Sequence, residues 1–423
     1  MNGQPLGRRF FHHSSFIILT LVLLSASCVT HAAAPQKFSG ATPLEWSQRL
    51  AVSEMTRRGD SLAWKPGGKA KWDYTAGLFT LSLLKLNEVA PDARYVPFVT
   101  NAIGSFVSKF GEIATYRRDE FQLDALNPAK TMLALWQTGT NHDERYFFGC
   151  AKLVLQFEHQ PRTFDGGFWH KQRYTNQMWL DGIYMAAPFF AAMGPNLKDP
   201  AAAYDEVAKQ IRLIDQHTYD AKTGLNYHGW DAVKVQPWAN PATGCSSNFW
   251  GRAMGWYAMA LVDVLDNFPT NHSARPQIIA TLQKLAKGVV KWQDAQTGVW
   301  WQVMDQGDRN GNYLEATASA MFVYALAKGV NHGYLSREYT PAIEKGYAGV
   351  IAQFIKPDGE TRWSLTQCCS VAGLGGSPSN GKYRDGSFEY YIGESIVNND
   401  LKGIGPFILA GIEMQQLLRG NSN

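Results

Sequence analysis

The feature that most constrains this chain is a weak internal repeat. Five times, an apolar segment ends in a polar turn with glycine and a short aromatic stretch follows: Gly111 before Tyr116, Gly167-Phe168-Trp169-His170, Gly224-Leu225-Asn226-Tyr227-His228, Gly298-Val299-Trp300-Trp301-Gln302, and Gly359 before Trp363. Successive glycines fall 56, 57, 74 and 61 residues apart. That interval fits one helical hairpin plus its loop, and a unit that cannot bury its own apolar face must stack on its neighbours.

Between the turns, apolar residues recur with helical spacing. The pattern predicts helices over 44–58, 72–88, 92–109, 127–138, 142–157, 175–193, 198–217, 247–267, 274–292, 312–329, 336–354 and 397–419. No stretch sustains strand alternation, and no Pro/Ser-rich linker divides the chain. These helices, taken pairwise, close into an all-α (α/α)6 toroid of six hairpins, one domain over 35–423. In such a ring the equivalent loops emerge at one end, so His170, His228 and Gln302 are expected to converge above the inner helices.

Composition narrows the function. With 45% hydrophobic and 18% charged residues, the 423-residue chain can bury a large core and is too apolar for disorder. A net charge of +4, spread without long runs, gives no case for nucleic acid and tilts weakly toward an acidic small substrate. The 14 Trp and 18 Tyr suit stacking on sugar rings, although large helical cores use them too.

The N-terminus reads differently from the rest. Arg8 and Arg9 precede an apolar run over 16–24 and the small residues Ala32, Ala33 and Ala34. This is the pattern of a secretory leader over 1–34, too short to span a bilayer. Export to the periplasm or the medium is expected, with no stable membrane association after cleavage. Beyond the leader, Cys150, Cys245, Cys368 and Cys369 show no C-x-x-C spacing, so neither a zinc site nor any other metal or cofactor is expected. One disulfide is possible, though adjacent Cys368 and Cys369 would bond each other only under strain.

Asp181 stands inside Asn176-Gln177-Met178-Trp179-Leu180-Asp181-Gly182-Ile183-Tyr184, among residues that otherwise read as the inward face of a helix. Burial without a partner disfavours the charged form of a carboxyl group, the usual way to keep a proton donor near neutral pH. The other reading is an Asp at a helix N-terminus, favoured by the dipole and the free N–H groups there. Asp124, in Phe121-Gln122-Leu123-Asp124, is either a turn residue or a second carboxylate facing Asp181; two carboxylates flanking a sugar are the usual equipment of glycoside hydrolysis. Arg252 lies between Trp250 and Trp256 in an apolar helix beginning, where it needs one of the chain's own carboxylates or a substrate's. His170 and His228 are loop histidines without a metal-ligand pattern, and no G-x-S-x-G or phosphate loop is present.

Seven blocks, in order, resemble the unsaturated rhamnogalacturonyl hydrolases, a family 105-like branch of the six-hairpin glycosidases: FQLDALNPAK, PRTFDGGFWHK, NQMWLDGIYMAAPFF, YHGWD, FWGRAMGWYAMALVDVL, GNYLEATASAMFVYALAKG and RDGSFEYYI. The similarity spans nearly the whole chain after the leader and implies the same toroidal fold. It implies a substrate, an oligosaccharide capped by the unsaturated uronate that a polysaccharide lyase leaves, and a reaction, hydration of the C4=C5 double bond. Carried over by block, Asp181 becomes the general acid and base, and Asp124 the second active-site carboxylate. Tyr74, His170, Trp179, His228, Trp250, Arg252 and Trp256 become the uronate pocket, with Arg252 on its carboxylate. One departure is Gly229 and Ala232-Val233 in the YHGWDAVKV stretch, where relatives tend to carry Ala and then Glu-Ser; it bears on the leaving sugar. An unsaturated glucuronyl hydrolase, or a non-catalytic helical sugar-binding protein, would share these pocket motifs.

Overall fold

The structure, a computed structural model, describes residues 36–59, 62, 69–139, 142–376 and 383–421; the leader expected over 1–34 lies outside them. Among the described residues the helices are α1 (Pro43–Arg58), α2 (Tyr74–Val89), α3 (Tyr95–Gly104), α4 (Ala129–Thr138), α5 (Glu144–His159), α6 (Leu180–Met193), α7 (Pro200–Thr218), α8 (Gly251–Asn267), α9 (Arg275–Lys291), α10 (Ala316–Asn331), α11 (Thr340–Phe354), α12 (Phe388–Ile392) and α13 (Leu401–Asn421). None is long and apolar enough to cross a membrane.

Burial sorts them into two kinds. α8 and α10 bury nearly every residue, whereas α7 and α9 bury one stripe and expose the other, as expected for helices wrapped by protein and helices facing water. The fully wrapped kind forms a closed inner ring: α2 packs on α4, α4 on α6, α6 on α8, α8 on α10, α10 on α13 and α13 on α2. Outside it, α3, α5, α7, α9 and α11 each lie on the inner helix before them, and α1 lies on α13. This is the all-α six-hairpin toroid that the repeat predicts, and Gln36–Asn423 form one compact unit.

The repeated glycine is the joint from each outer helix to the next inner one. Gly111, Gly166, Gly224, Gly298 and Gly359 take φ values of 75°, 95°, 79°, 79° and 71°, a region a side chain disfavours. The second joint is therefore Gly166 rather than Gly167. Gly167 is fixed by space instead, since a Cβ there would stand 2.1 Å from Met178 Sδ.

Four inner helices, α6, α8, α10 and α13, begin later than their apolar period suggests, and the first two show why. The segment before α6 pairs as an antiparallel ribbon, Gln177–Trp179 against Gly229–Asp231. Before α8, the Gly251 N–H donates to the Gln302 carbonyl at 2.9 Å, and Met304 N–H to the Phe249 carbonyl at 3.0 Å. Backbone groups committed to a neighbouring loop cannot close helical turns, so tertiary pairing overrides local periodicity. α12 was not anticipated from the periodicity; it is one short turn whose Ser387 side chain accepts from Tyr390 N–H.

Candidate active site

The first turns of the six inner helices gather at one end of the ring. Five of them carry an acid: Asp73 caps α2, Asp124 lies in the turn Leu123–Leu126 ahead of α4, Asp181 is the second residue of α6, Glu315 caps α10, and Asp400 accepts the Lys402 N–H at the head of α13. Asp73, Asp181, Glu315 and Asp400 are favoured there by the helix dipole and the unbonded N–H groups, whereas Asp124 precedes its helix by five residues. The sixth position, on α8, is Arg252.

Over this end opens a cavity of about 470 Å³. Tyr74, Asp124, His170, Trp179 and Asp181 line it, so five of the nine residues singled out from the sequence meet there. The ribbon described above positions two of them. Trp179 is its last residue and Asp181 follows within α6, so the strand pairing fixes where the helix starts and which way Asp181 faces.

Asp73 and Glu120 also line the cavity, but Asp124 and Asp181 are the two singled out from the sequence, and they sit in different surroundings. Asp124 contacts the Lys171 ammonium at 2.6 Å through Oδ2 and His170 Nε2 at 3.3 Å through Oδ1. Burial alone would push its carboxyl up, but the Lys171 charge and His170 outweigh that and hold it well below the usual carboxylate range. Asp181 has no Lys or Arg within 4.0 Å among the described residues. Its Oδ2 stands 3.2 Å from His228 Nε2, without the alignment of a hydrogen bond. Burial lowers the His228 imidazole below its usual value despite Asp181 beside it, so the ring is neutral. His228 Nδ1 lies 2.8 Å from the Tyr391 hydroxyl. Burial raises that phenol well above its usual value, so it keeps its proton and donates to Nδ1. The ring's single proton is thereby assigned to Nε2, facing Asp181.

An aromatic shelf connects the two. His170 and Tyr174 each stack on Trp179 with centroids 4.6 Å away, and their own centroids are 6.3 Å apart, so both lie on one face of the indole. Lys171, Arg173, Tyr174 and Arg384 also line the cavity and were not singled out. Lys171 and Tyr174 fall in or beside the FWHK block, and Arg384 opens RDGSFEYYI, so the signal was in quoted residues that were not read for charge.

Four expected pocket residues are not in the cavity wall. His228 and Trp250 are 0% exposed, Trp256 1% and Arg252 2%. His228 still reaches Asp181, as described. Trp256 stacks on Tyr184 at 4.9 Å and meets Tyr74 edge-on at 6.2 Å, buttressing the floor instead of receiving a sugar. Trp250 packs on His228 and Tyr391. The expectation that Arg252 holds the substrate carboxylate is corrected by its environment. Its guanidinium donates to the Cys369 carbonyl and lies 4.6 Å from the Trp250 ring centroid. Burial disfavours its charge, but the surrounding Cys369, Glu315, Tyr74 and Asp400 more than restore it. It balances the acids of neighbouring helix ends from within the protein. Gln302 is also buried, donating to the Tyr391 carbonyl and accepting from Trp250, and does not line the cavity. Cys150, Cys245, Cys368 and Cys369 are free and buried. No group of three or more His, Cys, Asp or Glu among the described residues is placed to hold a metal.

Comparison with known proteins gives the family and the fold. The family profile described as Glycosyl Hydrolase Family 88 matches residues 46–418. A solved glycoside hydrolase of family 105 from C. acetobutylicum is 38% identical, superposes with a TM-score of 0.82, and the match covers 87% of this chain and 99% of that one. Protein Atu3128 of Agrobacterium fabrum is 38% identical over 239 residues, 56% of this chain and all of its own length. The unsaturated rhamnogalacturonyl hydrolase YesR of Bacillus subtilis is 25% identical over 287 residues, 66% of this chain and 75% of its own.

Proposed function

The chain belongs to Glycosyl Hydrolase Family 88 and is a glycoside hydrolase with an oligosaccharide substrate; from that premise we propose that it removes a terminal 4,5-unsaturated galacturonate from lyase-cut rhamnogalacturonan, by adding water across C4=C5. The observation that carries this reading is the unequal pair of carboxylates in one cavity. Asp124 is held as an anion by Lys171 and His170 and cannot donate a proton. Asp181 has only a neutral imidazole at hand, an arrangement suited to giving a proton and taking one back.

In the proposed sequence, the Asp181 carboxyl protonates C4 while its conjugate base takes a proton from the water that bonds to C5. The product is a hemiketal at C5. Its C5–O5 bond opens to a ketone, and the hemiacetal left at C1 releases the neighbouring sugar with its glycosidic oxygen. One carboxyl serves both proton transfers, so the separation rule for retaining and inverting pairs does not apply. Asp124 accepts a hydroxyl of the uronate or the attacking water, and Tyr74, His170 and Trp179 shape the wall. The His228 N–H, fixed by Tyr391, faces Asp181 at 3.2 Å and is placed to bond it when the carboxylate turns toward the substrate.

The rhamnogalacturonan assignment draws on the block resemblance and on the YesR likeness. With the leader expected over 1–34, the proposed place of action is outside the cytoplasm. Its test is incubation with a lyase-cut rhamnogalacturonan disaccharide while following the ultraviolet absorbance of the conjugated double bond. Loss of absorbance with release of rhamnose is expected; unchanged absorbance at high enzyme overturns the reading. A hexosamine-linked substrate run beside it separates this specificity from that of an unsaturated glucuronyl hydrolase.

A further inference from the structure

Arg384, on the cavity wall, has a site built around it and no carboxylate in contact, Glu394 being an acid that feels its charge from further off. Its Nε donates to the Gly375 carbonyl at 2.8 Å, and Nη2 donates to the Tyr174 hydroxyl at 2.8 Å. The segment from Gly373 to Gly376 closes on the guanidinium as a side-chain-free cradle. A Cβ at Gly373 would stand 2.7 Å from Nη1, and one at Gly376, where φ is +64°, 3.4 Å from Nη2. A side chain at Gly373 would displace the guanidinium from this position, and the backbone conformation at Gly376 disfavours one. No Asp or Glu oxygen lies within 4.0 Å of Arg384 among the described residues. A guanidinium partly withdrawn from water and locked by uncharged acceptors is incomplete until an anion meets its remaining N–H groups.

The lock also ties Arg384 to the chemistry. Tyr174 stacks on Trp179 at 4.6 Å, and Trp179 lies two residues before Asp181, at the end of the ribbon that sets the start of α6. A group held by Tyr174 is therefore held in register with Asp181. The substrate reading above, on which this inference rests, places a carboxylate on C5, one bond from the carbon that takes the proton. We propose that Arg384, and not Arg252, receives the carboxylate of the terminal unsaturated uronate and so fixes C4 against Asp181. Lys71 is exposed and stands 4.0 Å from Asp73, Lys171 is engaged by Asp124, and Arg173 is exposed at the rim, which leaves Arg384 as the fixed cation of the wall with no carboxylate in contact.

The test compares the lyase-cut disaccharide with its uronate methyl ester, which keeps the double bond and removes the charge. Wild type should favour the acid in kcat/KM by on the order of 10²-fold, the worth of a bidentate charge-assisted contact. Arg384→Met should bring that ratio close to unity. Arg384→Lys, which keeps the charge but not the planar fork, should lower it about tenfold and guards against misfolding of the Met variant. Arg252→Met should leave the ratio at its wild-type value even where the melting temperature falls. A ratio that survives in both Arg384 variants, or collapses in Arg252→Met, overturns the inference while leaving the proposed reaction standing. Wild-type enzyme that leaves the double bond intact overturns the reaction, and this inference with it.

Discussion

Asp124 and Asp181 face one cavity from the heads of neighbouring inner helices, yet the protein treats them oppositely. Asp124 is gripped by a lysine and a histidine that hold it ionised far into acid. Asp181 is given one neutral imidazole whose proton is fixed from behind by a tyrosine. What separates them is a single cation: Lys171 reaches Asp124, and no such residue reaches Asp181. On the proposed reading, the placement of one ammonium gives two like groups separate roles, Asp124 as an anion and Asp181 as the group that moves a proton.

Replacing Asp181 breaks the comparison most severely. Asp181→Asn keeps the shape and loses the proton, so kcat should fall by roughly 10²- to 10⁴-fold, the usual worth of a general acid–base. Calorimetric titration with the disaccharide should still show binding. Retained turnover would move the proton role elsewhere.

Asp124→Asn should cost less, on the order of 10²-fold in kcat/KM, because it removes an acceptor and not the proton donor. It also carries a stability signature. A carboxyl lowered in the folded state contributes stability above its unfolded value, and loses it as pH falls through the folded one. The melting-temperature advantage of wild type over Asp124→Asn should thus hold from neutral pH down to about 5 and shrink below that. In a Lys171→Met background the neutral-pH advantage should be smaller and its decline should end at higher pH; an unchanged amplitude would remove Lys171 as the cause.

Tyr391→Phe should have the smallest effect. It deletes the donor that assigns the His228 proton, and kcat should drop three- to tenfold with KM little changed, the scale of one buried hydrogen bond of about 1 kcal/mol. A change confined to KM would place Tyr391 in binding instead of orientation.

Much of the architecture was legible because helical periodicity and a recurrent glycine are local signals. The twelve expected helices are all present, and the glycine joints mark where outer helices hand over to inner ones. Where the reading slipped, long-range pairing was responsible: the ribbon at Gln177–Trp179 and the Trp250 bridge to Val303 took residues that the apolar period assigns to helices. The site divides along a similar line. Asp124, Asp181, His170, Trp179 and Tyr74 are ordered along the chain by the repeat and meet in the cavity. Arg252, Trp250 and Trp256 carry the same motif strength but point into packed protein, because a motif gives residue type and order without giving the face that is covered. Arg384 was the converse. Its role depends on Tyr174, 210 positions away, and on a glycine segment that closes around it, neither of which has a local pattern.

The central claim is that Asp181 delivers a proton to a carbon–carbon double bond. The direct measurement is nuclear magnetic resonance of the first-formed product in deuterium oxide, quenched before exchange. The account predicts deuterium on a single face of C4 with wild type, and none above the uncatalysed level with Asp181→Asn. Release of the sugar with the double bond still intact, or deuterium spread over both faces of C4 from the earliest time point, would contradict it.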